Sequence, residues 1–204
     1  MSPQDNPMEL PFSVACERNK KSILSILREA LAECNEVLEI GSGTGQHAVH
    51  FGTHLPWLTW QAAEMLENQT FLRLRLEREA PENVKAPLVL DVREADWNAG
   101  QVDAVFTANT FHIMSWEAVK SAFIGIGKIL RTPGVVCVYG PYNYEGQYTS
   151  KSNAAFDQTL QGNDPLRGIR DFEAVNELAL QQGLTLINDH AMPANNRTLV
   201  WTRP

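Results

Sequence analysis

Val37-Leu-Glu-Ile-Gly-Ser-Gly-Thr-Gly45 is the stretch on which the fold turns. Its apolar opening makes Glu36 to Ile40 a short strand that ends at glycines, and Thr44 to about Thr53 reads as the helix that follows. Glycine lets a backbone turn sharply and approach a ligand closely, so Gly41, Gly43 and Gly45, in strand–loop–helix order, point to a ligand cradle. A dinucleotide loop, G-x-G-x-x-G, sets a pyrophosphate on the helix N-terminus. Here Gln46 stands where that pattern wants glycine. Glu39 lies two residues before the first glycine, where a carboxylate disfavours a pyrophosphate and suits a cationic ligand.

Outward from this loop, short apolar strands alternate with helices. From Ser22 a helical period places Ile23, Ile26, Leu27, Ala30 and Leu31 on one face. Leu58 to Ala63 reads as a strand, Asn68 to Ala80 as a helix stopped by Pro81, and Pro87 to Val92 as a buried strand. Val102 to Ala108 is a strand, Trp116 to Leu130 a helix, and Val135 to Tyr139 a strand. Asp171 to Gln182 is a helix with Asp171 as N-cap and Gly183 as its stop. Leu184 to Ala191 and Thr198 to Thr202 close the chain. The loop Pro193 to Arg197 is too short for a crossover helix, so this last pair is antiparallel.

The pattern predicts an α/β fold: a Rossmann-like three-layer αβα sandwich whose seven-stranded sheet is mostly parallel, with a C-terminal antiparallel pair. At 204 residues it fits one domain, 1–204. Residues 1–21 read as an arm, irregular through about Ser13, lying over the ligand site. Residues 140–170, polar and weakly periodic, read as an insertion forming a substrate lid.

Composition narrows the function. The chain is 44% hydrophobic, enough for a packed core, and its formal charge of −7 argues against a broad nucleic-acid surface. Cys16, Cys34 and Cys137 are odd in number and lack CxxC spacing, which suits reduced thiols in a cytoplasmic protein. No stretch approaches the ~18 apolar residues of a membrane span. The polar, proline-rich start does not read as a secretory signal.

V-L-E-I-G-S-G-T-G resembles the first motif of class I S-adenosylmethionine-dependent methyltransferases, and the element order is similar to that superfamily over the whole chain. Pro11 to Lys20, Gln46-His47-Ala48, Gly140 to Tyr148 and Met192 to Asn196 together resemble a small methyltransferase-like family catalogued as a domain of unknown function. The resemblance implies S-adenosylmethionine as cofactor, with S-adenosylhomocysteine as product. It implies roles by position as well. Glu64, at the end of the second strand, would hold the ribose hydroxyls, with Met65 beside the adenine. Asp91 and Val92 would form the adenine corner, and Asn109 and Thr110 would line the methionine portion and reacting methyl. Glu39, Gly41, Gly43 and Gly45 form the loop. Arg18 or Asn19 would close over the site and meet the methionine carboxylate.

The expected acceptor is a small molecule or a protein group. Tyr142, Asn143, Tyr144 and Tyr148 are candidates for its pocket, with His112 as a base and Tyr142 as the other catalytic candidate. Asn195 and Asn196 read as turn formers. No Asn-Pro-Pro-Tyr motif follows the fourth strand, against nucleobase-amine or glutamine methylation. His47, His50 and His54 share a helix without a further ligand, so no metal site is expected. The rival readings are a catalytically silent S-adenosylmethionine-binding scaffold or sensor and an NAD-dependent oxidoreductase. The second lacks a Tyr-x-x-x-Lys pair.

Overall fold

The computed structural model describes residues 9–204; residues 1–8 of the expected arm lie outside them. Ten strands and six α-helices follow in chain order. They are α1 (Val14–Ala30), β1 (Glu36–Ile40), α2 (Gln46–His54), β2 (Thr59–Glu64), α3 (Gln69–Glu79), β3 (Leu88–Val89), β4 (Val102–Ala108) and α4 (Trp116–Ile129). Then come β5 (Leu130–Gly140), β6 (Tyr142–Tyr144), β7 (Gln147–Tyr148), α5 (Lys151–Asn163), β8 (Arg170–Asp171), α6 (Phe172–Gln181), β9 (Thr185–Met192) and β10 (Asn196–Arg203).

The main sheet has seven strands in the order β3-β2-β1-β4-β5-β10-β9. All its pairings are parallel except β5 with β10 and β10 with β9. This is the predicted Rossmann-like sheet with its closing antiparallel pair. One buried cluster joins the sheet to α4 and α6, and another joins it to α1, α2 and α3. In the second, Phe51, Trp60 and Phe106 are fully buried, with rings 5.4 to 5.8 Å apart. The strand order reverses between β1 and β4, and in such sheets the ligand crevice opens at the carboxyl ends of the strands there.

Three local expectations are corrected. Helix α1 begins at Val14, inside the expected arm, because the Ser13 side chain accepts from the Cys16 N–H at 3.3 Å and caps it. Its first two turns are mostly solvated, so they carry no apolar stripe to read. Strand β3 is two residues long, not a buried strand through Val92: it pairs only with β2, and Val89 is half exposed. The chain then turns where the Asp91 carboxylate accepts the Arg93 backbone N–H at 2.9 Å.

The third correction is the 140–170 segment, which is mostly regular structure. It holds β6, β7 and α5 and begins β8; β6 pairs antiparallel with β7 and parallel with β8. Helix α5 escapes periodicity because two of the side chains it buries are polar, Asn153 and Asp157, beside Leu160. Asp157 accepts from the Tyr148 hydroxyl (2.7 Å), Gln161 Nε2 (2.8 Å) and the Ile169 N–H (2.6 Å). Asn153 donates to the Asn195 carbonyl at 3.1 Å, tying α5 to the β9–β10 turn. At α6, Asp171 takes the N-cap place without a side-chain cap bond, and Gly183 has φ +72°.

Candidate functional site

A cavity of about 710 Å³ opens at the carboxyl ends of β1, β2 and β4. The glycine loop forms its floor. Gly41 has φ +71°, and a Cβ there would stand 2.7 Å from Thr110 Cγ2; Gly43 has φ +52°, and a Cβ there would meet nothing within 4 Å. The first glycine lets the backbone approach the β4 loop, and the second leaves the cavity side of the loop bare. Both line the cavity. Gly45, with φ +76°, packs instead on Leu72 and Arg75 and starts α2.

Glu64 lines the cavity from the end of β2. Its Oε2 accepts the Gly43 N–H at 2.8 Å, and its Oε1 accepts the Met65 N–H at 2.8 Å and Asn68 Nδ2 at 3.2 Å. The carboxylate is therefore oriented by neutral donors. Met65, Asp91, Val92, Asn109 and Thr110 line the same cavity, so the structure gathers these five with Glu64, Gly41 and Gly43. The Arg93 guanidinium beside Asp91 holds its carboxyl below its usual range. Asn109 sits at φ +58°, a left-handed conformation that asparagine tolerates better than most residues.

Other predicted residues lie elsewhere. Glu39 is turned under the loop, where its Oε2 accepts from Trp60 Nε1 at 3.0 Å, and burial pushes its carboxyl up to about 7. Arg18 is exposed and does not line the cavity. Asn19 is buried, its Oδ1 2.7 Å from His47 Nε2. Tyr142 lies in the core beneath the small sheet, 2% exposed, with its hydroxyl pKa pushed far up by burial. It cannot reach an acceptor in the cavity. The Tyr144 hydroxyl donates to Asp189 and the Tyr148 hydroxyl to Asp157, so the expected tyrosine pocket does not form. Asn195 has φ +58° and Asn196 donates to the Pro193 carbonyl, as turn formers do.

His112 follows β4 but does not line the cavity. It is buried beneath α5, its ring 5.4 Å from that of Phe156, and burial lowers its pKa to about 4. Among the described residues, no group of three or more His, Cys, Asp or Glu is placed to hold a metal ion. None of their helices is long and apolar enough to cross a membrane.

Several cavity residues were given no role in the site by the sequence. Ser13 and Cys16 line it from the chain before and within α1, and His47 from α2. Gln46 fixes that approach, its Oε1 accepting the Ser13 N–H at 2.5 Å. Arg75 donates to the Thr44 carbonyl (2.6 Å) and the Pro11 carbonyl (2.7 Å), clamping the glycine loop to the incoming chain. The turn after α5 adds Asp164, Leu166 and Arg167 to the rim.

The family described as "Protein of unknown function (DUF938)" matches residues 10–203. The chain belongs to that family. Its fold is shared with solved methyltransferases. An O-methyltransferase family protein from Burkholderia thailandensis superposes with a TM-score of 0.80 at 14% identity, covering 93% of this chain and 57% of that one. The S-adenosylmethionine-dependent methyltransferase SibL gives 0.78 at 18% identity, covering 93% and 56%. Human N-acetylserotonin methyltransferase in complex with SAM gives 0.77 at 14%, covering 93% and 52%. The chain thus spans just over half the length of these proteins, and identities this low carry the fold alone.

Proposed function

We propose that this chain is an S-adenosylmethionine-dependent methyltransferase whose acceptor is a small molecule or a protein group. The observation that carries the reading is the cavity that brings a bare glycine loop, the Glu64 carboxylate and the Asn109–Thr110 loop together at the β1/β4 switch point. Its chemistry fits the cofactor. Gly43 leaves space that any side chain would fill, and among the described residues no cation forms an ion pair with the Glu64 carboxylate.

In this reading Glu64 holds the ribose hydroxyls, since a carboxylate accepts two hydrogen bonds. Met65, Asp91 and Val92 enclose the adenine, and Asn109 and Thr110 line the methionine portion. The cofactor, when bound, supplies an electrophilic methyl on a sulfonium. The chain contributes alignment and exclusion of water, which such a displacement chiefly requires. Helix α5 acts as the substrate lid. His112, kept neutral by burial, would take a proton from the acceptor once α5 moves off it.

One observation favours a second reading, a binding scaffold without transfer: both catalytic candidates, His112 and Tyr142, stand outside the cavity lining. Calorimetric titration with S-adenosylmethionine, S-adenosylhomocysteine and NAD tests the first step. Micromolar binding of the first two without NAD supports the cofactor assignment, and binding of NAD alone overturns it. Methyl transfer to any acceptor, lost in His112→Gln with affinity retained, separates enzyme from scaffold.

A further inference from the structure

His47 joins segments the sequence had singled out without giving them work. It lines the cavity while only 4% exposed. It stacks on Phe51 at 5.1 Å and stands edge-on to Phe106 at 6.2 Å, so its orientation is fixed by packing. Its Nε2 lies 2.7 Å from Asn19 Oδ1. The Asn19 and Asn196 side chains lie beside the Tyr139 hydroxyl and act to lower its pKa, against burial, which raises it. The four residues come from α1, α2, β5 and β10; His47, Asn19 and Tyr139 are buried and Asn196 is half-buried, and this polar cluster ends at the cavity.

The contact between Asn19 and His47 sets the tautomer. Asn19 presents its amide oxygen, an acceptor, to His47, so Nε2 carries the imidazole proton. Nδ1 is left as an acceptor. Glu64 and Asp91 stand at the β2 and β3 side of the cavity, and Glu39 is turned to Trp60. Glu67 lines the cavity beside Glu64, and Asp164 on the rim pairs with Arg167 at 3.5 Å, so among the described residues Ser13, Cys16 and His47 line the cavity without a carboxylate of their own.

We propose that His47 is a binding residue of this site, its Nδ1 accepting a hydrogen bond from the primary ammonium at the aminoacyl end of the cofactor. The inference rests on the methyltransferase reading above. It assigns Asn19 as the positioning residue that holds the imidazole in the accepting tautomer.

The experiment compares two probes, S-adenosylhomocysteine and 5′-methylthioadenosine, which shares the adenosyl thioether and lacks the amino-acid end. The expected result for His47→Phe is a loss of roughly tenfold to a hundredfold in affinity for the first, the range for a hydrogen bond to a charged group, with the second nearly unchanged. His47→Gln, which keeps a donor toward Asn19 and an acceptor toward the cavity, restores most of the loss. A purely structural role would weaken both probes together, and that result overturns the proposal. So does retention of full affinity for S-adenosylhomocysteine. Should His47→Phe not fold, the imidazole ¹⁵N spectrum of the native protein decides, with His47→Gln assigning the signal: S-adenosylhomocysteine should shift the unprotonated nitrogen of His47 and 5′-methylthioadenosine should not. If the native protein binds neither probe, the methyltransferase reading itself fails, which is distinct from a failure of His47 alone.

Discussion

Glu39→Gln should stabilise the protein at neutral and alkaline pH, by an amount that vanishes in acid. The Glu39 carboxyl is 2% exposed, and its environment raises its pKa from an ordinary 4.5 to about 7. Burial is the main cause, opposed by the hydrogen bond from Trp60 and by the nearby Ser42 hydroxyl. A folded-state value above the unfolded one means the native state binds the proton more tightly. Stability is then lost as pH rises from about 4.5 toward 7, and the loss is complete above that. At about 1.36 kcal/mol per pH unit, the gap corresponds to about 3 kcal/mol. Glutamine keeps an oxygen for Trp60 Nε1 and removes the charge. Buried histidines act in the opposite sense: His47 and His112, lowered to about 4, cost stability as pH falls below 6.5. The native curve alone therefore mixes opposing slopes, and the difference between variant and native protein isolates Glu39. The assay is urea denaturation of both proteins from pH 4.5 to 8.5. The difference should grow from near zero to about 3 kcal/mol with unchanged m-values. Parallel curves across that range would refute a protonated buried carboxyl.

The other predictions concern the cavity and its lid. Glu64→Ala should weaken S-adenosylhomocysteine by at least about tenfold in calorimetry, and Glu64→Gln, with one acceptor left, should fall between it and the native protein. Gly43→Ala should cost about 1–2 kcal/mol for a left-handed alanine and still fold, since its Cβ meets nothing within 4 Å, while losing ligand affinity. Gly41→Ala carries a similar backbone cost plus a contact 2.7 Å from Thr110 Cγ2, so urea denaturation should find it the less stable of the two. Asp157→Ala leaves the Tyr148, Gln161 and Ile169 donors without their acceptor. Limited proteolysis should then cut within residues 146–169 faster than in the native protein, by local opening of α5. Cleavage elsewhere at the same rate would show that Asp157 holds the whole domain.

Local chemistry made the frame legible. The strand–glycine–helix unit at 36–54 and the apolar runs at 102–108 and 135–139 announce themselves by period and by residues that only certain backbones accept. Their order, with a final loop too short for a crossover, leaves little choice but a parallel sheet with an antiparallel close. The cavity positions Glu64, Asp91 and Asn109 were legible too, because each stands at a strand end or within two residues beyond it. What a side chain faces is a different matter, since it depends on elements far away in the chain. Glu39 and Tyr142 looked like site residues by position, yet Trp60 claims one and the core beneath β6 the other. Helix α5 was hidden because its inward face is partly polar and satisfied by partners up to 42 residues distant. His47 gains its place in the same way: residues 19, 47, 139 and 196 share no local pattern, and only the packing of α1 and α2 against the sheet brings them into one polar cluster. The sequence by itself determined the main strands, most of the helices between them and the antiparallel close, because those rest on local periodicity and loop length. The tertiary structure alone decided which polar groups reach the cavity, because a buried donor or acceptor turns toward whatever partner the fold supplies.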